Sequence, residues 1–140
     1  MWLLYAFLSA LFAAAVAIFG KLGLKNIDPT LATTIRSIIM AGFLFVVSFF
    51  LNKFDGFSFG SLRGKDWLLI IFAGVAGALS WLFYFIALKE GITTKVVAID
   101  RLSIIMVVIL STLFLGETFG WKVVLGALLM AGGAILISLK

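Results

Sequence analysis

The amino-acid sequence predicts an all-α integral membrane protein with five transmembrane helices. Of its 140 residues, 64% are apolar and only 12% are charged, whereas soluble domains average about 45–50% apolar and about 25% charged residues. A soluble fold of this length has too little interior to bury so much apolar surface. The apolar residues also form continuous runs of about 20, the length that a helix needs to cross a bilayer. Membrane β-strands would instead show alternating segments of about 10 residues.

Five apolar runs predict the spans. They are Trp2–Phe19, Thr30–Leu51, Trp67–Leu88, Val96–Leu115 and Trp121–Leu139. Asp28 and Pro29 fit the N-cap and the first residue of the second helix, and Asp66 fits an N-cap for the third. The longest connection, Asn52–Asp66, is a candidate for lying on the membrane surface. The other connections are short, so we expect consecutive helices to be antiparallel neighbours in one domain over residues 1–140.

Composition also excludes several classes of function. The chain contains no His and no Cys, which excludes disulfides, thiol catalysis and a histidine proton relay, and it leaves no basis for a structural zinc site. We therefore expect no metal, no cofactor and no enzymatic activity. The net charge is +5, but the basic residues lie between the apolar runs, where they anchor helix ends and set orientation. Nucleic acid is therefore not an expected partner.

Three charged residues lie inside predicted spans, where ionisable groups are costly and are functional candidates by default. Arg36 lies about two turns into the second span, and Asp100 and Arg101 lie just over one turn into the fourth. Because both spans start on the same side of the membrane, the three charges should share a similar depth, and a salt bridge between Asp100 and Arg36 is plausible. Such a group could form a gate or anchor a substrate. It could equally be a structural pair, or two arginines snorkelling to the interface.

Faces of the third and fourth spans are the candidate substrate site. In the third, Gly77, Trp81 and Tyr84 combine space with aromatic walls. In the fourth, Ser103 and Val107 lie on a stripe that also includes Asp100 and Ser111. The alternatives are close helix packing at the glycine and hydrogen bonds between helices by the serines.

Hydroxyl side chains open the second span, and small residues cover one side of the fifth. The hydroxyls of Thr30, Thr33, Thr34 and Ser37 either line a passage or bond to carbonyls of their own helix. The small residues that predict helix packing are Gly126, Ala127, Ala131, Gly133 and Ala134. Glu117, which follows the fourth span, is expected to support this packing by holding the free amides at the start of the fifth helix; a coupling role is the alternative.

Several short segments resemble the EamA repeat of the drug/metabolite transporter superfamily. They are 18–21, 32–37, 87–91, 115–117, Gly126 and 130–137. Segment 99–103 is similar to a prokaryotic single-repeat subgroup of the family. The resemblance covers essentially the whole chain, and their order and spacing make it specific. Two features depart from related patterns: Asp100 and Arg101 stand where many EamA repeats have a proline, and the first span lacks the carboxylate that four-helix multidrug exporters use to exchange protons.

The resemblance implies a small-molecule transporter of the cell membrane, with a metabolite such as an amino-acid-like solute as substrate. Larger members carry two repeats in inverted orientation, so this single repeat is expected to act as an antiparallel homodimer with dual topology. The alternative is a non-transporting subunit, or a lipid-handling partner of another membrane protein.

Overall fold

The computed structural model describes residues 1–58, 60 and 62–139, and within these ranges the chain is helical without strands. Its helices are α1 (Trp2–Gly23), α2 (Pro29–Phe50), α3 (Gly64–Glu90), α4 (Thr93–Asp100), α5 (Ser103–Leu115) and α6 (Trp121–Ser138). Taken together, α4 and α5 form one membrane-length stretch, so five stretches are long and apolar enough to cross a bilayer. The predicted all-α membrane fold with five spans is confirmed.

The chain divides into two compact units. The first contains Met1–Lys21 and Glu90–Lys140, and the second contains Leu22–Lys89. In the first unit α6 packs on α4 and α5, and its buried residues are alanines. In the second unit the most buried side chains are Leu24 and Leu88. Most large apolar side chains are exposed, as expected where lipid is the solvent. The single five-helix domain stays a prediction.

Asp28 caps the start of α2, as the sequence predicts. One oxygen of its side chain accepts hydrogen bonds from the backbone N–H of Thr30 at 2.8 Å and of Leu31 at 3.2 Å. Pro29 occupies the first turn, where its missing N–H leaves nothing unpaired. The bond from Leu31 is the largest of the effects that lower the pKa of Asp28 below its usual value of 3.8.

Asp66 does not cap α3 in the predicted way, because the helix begins two residues earlier, at Gly64. The side chain of Asp66 instead reaches back from the third helical position and accepts the backbone N–H of Arg63 at 3.0 Å. This is the returning half of a capping box. The carboxylate still satisfies an amide at the helix start, but from inside the helix.

The predicted fourth span is interrupted between α4 and α5. The N–H of Leu102 donates to Ile99 O at 2.9 Å, that of Ile104 to Arg101 O at 3.2 Å, and that of Ile105 to Leu102 O at 3.0 Å. Each bond spans three residues, whereas an α-helix spans four. A two-residue turn with 3₁₀-type hydrogen bonds, Arg101 and Leu102, therefore joins the two helices, and it directly follows the in-span charge Asp100; we call it the 3₁₀ segment.

Three lysines bind backbone carbonyls within their own units. Lys21 Nζ donates to Gly91 O at 2.8 Å, and Lys89 Nζ donates to Ile27 O at 2.9 Å. Lys95 Nζ donates to the carbonyls of Ser138 and Leu139, at 3.1 and 3.3 Å, and thereby satisfies the end of α6. A lysine at a helix C-terminus also opposes the negative end of the helix dipole.

We predict that Asp28→Ala speeds amide hydrogen exchange at Thr30 and Leu31, because both amides lose their acceptor. Asp28→Asn, which can still cap a helix, should change exchange less. The folded-state pKa of Asp28 is lowered, so its stabilisation is complete above the ordinary pKa of 3.8 and is lost as pH falls through the folded value. Unchanged exchange in Asp28→Ala, or the same loss on acidification in Asp28→Asn, would contradict this assignment.

Candidate functional site

The second unit contains a cavity between α2 and α3. Its volume is about 550 Å³, within the range of about 300–1,000 Å³ typical of small-molecule sites. It is lined by Thr30, Thr33, Thr34, Ser37, Ile38 and Ala41 from α2 and by Val75, Ala78, Leu79 and Leu82 from α3. One wall therefore carries four hydroxyl side chains, whereas the other is entirely apolar.

Three of the four hydroxyls donate to their own helix. Thr33 Oγ1 donates to Pro29 O at 2.8 Å, Thr34 Oγ1 to Thr30 O at 2.9 Å, and Ser37 Oγ to Thr33 O at 2.8 Å. The bonds to carbonyls of the same helix, one of the two possibilities left open by the sequence, are therefore present, and the same residues also line the cavity; a passage along them stays a prediction. Because a hydroxyl oxygen still accepts hydrogen bonds after its proton is used, this wall offers acceptors to a bound molecule.

An aromatic cluster in α3 holds the guanidinium of Arg36. The guanidinium carbon lies 3.7 Å from the centroid of the Trp81 ring and 5.5 Å from that of Phe85. Trp81 contacts Tyr84 edge to face at 5.5 Å and lies 6.0 Å from Phe85, which is buried. The cation is therefore placed on the negative face of the indole ring.

The predicted substrate-site residues of α3 lie beside this cavity rather than along it. Trp81 and Tyr84 belong to the aromatic cluster, and Gly77 is half-buried with open space where a side chain would begin. The cavity lining from α3 instead includes Ala78, one residue and about 100° further round the helix. A role of Gly77, Trp81 and Tyr84 in substrate binding stays a prediction.

The first unit holds the other predicted site residues. Ser103 and Val107 are exposed on α5, whereas Ser111 is buried and donates to Val107 O at 2.7 Å. Asp100, which precedes the 3₁₀ segment, and Arg101, within it, are exposed. The roles of these residues, including a pairing of Asp100 with Arg36, stay predictions.

The small residues of α6 lie where packing requires them. Ala127, Ala131 and Ala134 are buried, and Gly126 and Gly133 are half-buried. Glu117 differs from expectation: it is exposed, and its backbone N–H donates to Ser111 O at 3.3 Å. Gly116, with a φ of 67°, supplies the left-handed residue that ends α5. Within the part of the chain that the structure describes, no amide of α6 donates to the Glu117 carboxylate.

The contact between Arg36 and Trp81 was not predicted, although the sequence holds a signal for it. Arg36 is seven residues past the start of α2, and Trp81 is nine residues before the end of α3. Antiparallel neighbours place these positions at depths of about 10–14 Å from the same side. An in-span cation and an in-span indole at one depth are a natural pair.

The comparisons with known proteins agree with this architecture. Residues 1–139 match the model of the EamA-like transporter family. A Sinorhizobium protein named "Uncharacterized transporter in cobO 3'region" is 37% identical over 137 residues, which cover 98% of this chain and 96% of that relative. No solved structure matches the chain. Its five apolar stretches, its full-length family match and this relative lead to one conclusion: the chain belongs to the EamA-like transporter family and is a multi-pass transporter of the cell membrane.

Proposed function

We propose that the protein moves a small metabolite across the membrane by alternating access, as a homodimer whose two copies lie antiparallel. The observation that carries the proposal is the cavity between α2 and α3, with hydroxyls along one wall and apolar side chains along the other. Lipid hydrocarbon forms no hydrogen bonds with the hydroxyls along this cavity, whereas a polar solute needs both space and hydrogen-bond acceptors. The proposal assigns no enzymatic step to the chain.

The requirement for a second copy follows from the size of the repeat. Alternating access in transporters with inverted repeats places the substrate between two related halves that rock against each other. This chain supplies five membrane-length stretches, which is one such half. The Sinorhizobium relative is nearly covered by the same alignment, so it too has the length of a single repeat. Two copies in opposite orientations supply the inverted pair.

The distribution of basic residues supports insertion in both orientations, because orientation follows the bias of Lys and Arg between the two sides. The side of the N-terminus holds four basic residues: Lys53, Arg63, Lys65 and Lys122. The other side holds five: Lys21, Lys25, Lys89, Lys95 and Lys140, the last of which lies outside the described residues. Arg36 and Arg101, inside the membrane nearer that second side, would raise its count to seven.

Three of the five lysines on the side opposite the N-terminus also have a structural role, which is independent of membrane orientation. Lys21, Lys89 and Lys95 each hold a backbone carbonyl. These three lysines therefore stabilise the fold in either orientation of the chain. Because they have this structural role, their number is weaker evidence for one fixed orientation. A single orientation, with this side in the cytoplasm, is the competing arrangement.

Solute counterflow in liposomes that contain only this protein tests transport. We expect exchange of at least one solute from a radiolabelled panel of amino acids, nucleosides, polyamines and carboxylates. Ala78→Phe should abolish that exchange, because it fills the cavity from its apolar wall. Gly77→Phe is the matched variant for the face predicted from sequence, and it should cost less.

Two results would contradict these expectations. A larger loss in Gly77→Phe than in Ala78→Phe, with both proteins correctly inserted, would return the site to the sequence-predicted face. Pure protein that exchanges no solute would favour a non-transporting subunit or a lipid-handling partner.

Reporter fusions at the C-terminus test the antiparallel arrangement. One reporter is active only inside the cell and one only outside, and we expect both to give signal. Two lysines added to the connection between α2 and α3 should favour the orientation in which this connection faces the cytoplasm. Transport should then fall, because fewer copies have the opposite orientation. Co-expression with an oppositely biased variant should restore it. Signal from a single reporter, in functional protein expressed alone, would rule out dual orientation.

A further inference from the structure

Arg36 is a cation in a part of the molecule where a cation is costly. It is seven residues past the start of α2, a rise of about 10 Å along the helix axis. Charged side chains at such depths are rare and need a partner, a water-filled cavity or a route to the interface. Its side chain is half-buried, so the surroundings of its guanidinium determine which of these applies.

The aromatic cluster contacts the guanidinium of Arg36 through its rings. The guanidinium carbon lies 3.7 Å from the Trp81 centroid and 5.5 Å from that of Phe85, which is contact with the π system. The N–H donors of a guanidinium lie along its edge, in the plane of the group. Contact with aromatic rings provides no oxygen acceptor, so those donors stay available to one.

Within residues 22–89, as far as the structure describes them, no carboxylate, carbonyl or hydroxyl accepts a hydrogen bond from Arg36. A planar fork of N–H donors matches the two oxygens of a carboxylate. We propose that Arg36, held on Trp81, binds the carboxylate of the transported solute; this inference rests on the proposed transport function and names its class of substrate.

The cavity lies beside Arg36 rather than around it. Its lining includes Ser37 and Leu82, the chain neighbours of Arg36 and Trp81, but neither Arg36 nor Trp81. Because Thr33, Thr34 and Ser37 donate to their own helix, their oxygens remain as acceptors for a part of the solute that enters the cavity. Small α-amino and α-hydroxy acids carry a carboxylate for Arg36 and an N–H or O–H donor for these acceptors.

Binding is measured on the fluorescence of Trp81, without any need for transport. Trp2, Trp67 and Trp121 are replaced by Phe, and the protein is placed in nanodiscs of phosphatidylcholine. The probes are the α-amino acids, lactate and malate, each titrated beside its own primary amide, which lacks the negative charge. We expect at least one acid to change the Trp81 emission at concentrations where its amide has no effect.

Variants of Arg36 assign the effect to the guanidinium. Arg36→Gln should weaken binding of that acid about ten- to a hundredfold, the loss expected for hydrogen bonds to a charged group. Arg36→Lys keeps the charge but loses the planar fork, so it should be intermediate. Arg63→Gln, outside the spans, is the matched control and should bind as the parent does. Circular dichroism and gel filtration check that each variant is folded.

Five outcomes would overturn the inference. The first four are equal responses to acids and amides, no response to any acid, unchanged binding in folded Arg36→Gln, and acid binding that appears only after Asp100→Asn. This fourth outcome would show that the chain's own carboxylate holds Arg36. A response to phosphatidylglycerol but not to the acids would make a lipid headgroup the anion, and would also overturn it. The proposed transport function and the role of Arg36 can fail independently. Acid binding through Arg36 without any counterflow contradicts the transport function. Counterflow that is inhibited equally by acids and by their amides contradicts only the binding of a carboxylate by Arg36.

Discussion

Hydrocarbon provides no hydrogen-bonding partner, and most of the local structure of this protein follows from that constraint. Hydroxyl side chains within α2, α5 and α6 donate hydrogen bonds to the backbone carbonyls four residues earlier. Among the described residues, no buried side-chain nitrogen or oxygen lacks a partner. Polar residues can therefore occupy these helices, because short side chains such as these satisfy their donors locally.

Arg36 is the residue for which this local solution does not suffice, because a guanidinium has five donors and no backbone carbonyl within its own turn can serve them all. In the second unit, aromatic rings contact the guanidinium and stabilise its charge without accepting conventional hydrogen bonds from its N–H groups. The first unit is built differently, with alanines where α6 packs on α4 and α5. The second unit thus places polar side chains at and beside a cavity, and the first unit contains closely packed helices.

The sequence was sufficient for the spans but not for the faces of the helices. Apolar runs fix where helices cross, because about 20 apolar residues have few alternatives in a membrane, and the Asp28–Pro29 pair marks the start of α2 to the residue. Faces are harder, since one residue rotates a side chain by about 100°. Ala78 lines the cavity whereas its chain neighbour Gly77 does not, a difference that the sequence pattern alone does not resolve. Asp66 was misplaced because a carboxylate can satisfy the helix start from the cap or from the first turn.

The 3₁₀ segment between α4 and α5 also affects how long the fourth span is. An α-helical residue advances about 1.5 Å along the axis and a 3₁₀ residue about 2.0 Å. Each of the three-residue hydrogen bonds around Arg101 and Leu102 therefore adds about 0.5 Å of reach. Converting three residues between the two forms changes the hydrophobic thickness that this span matches by about 1.5 Å. No proline stands in this joint, so every one of its residues keeps its amide donor and the extra length costs the span no backbone N–H.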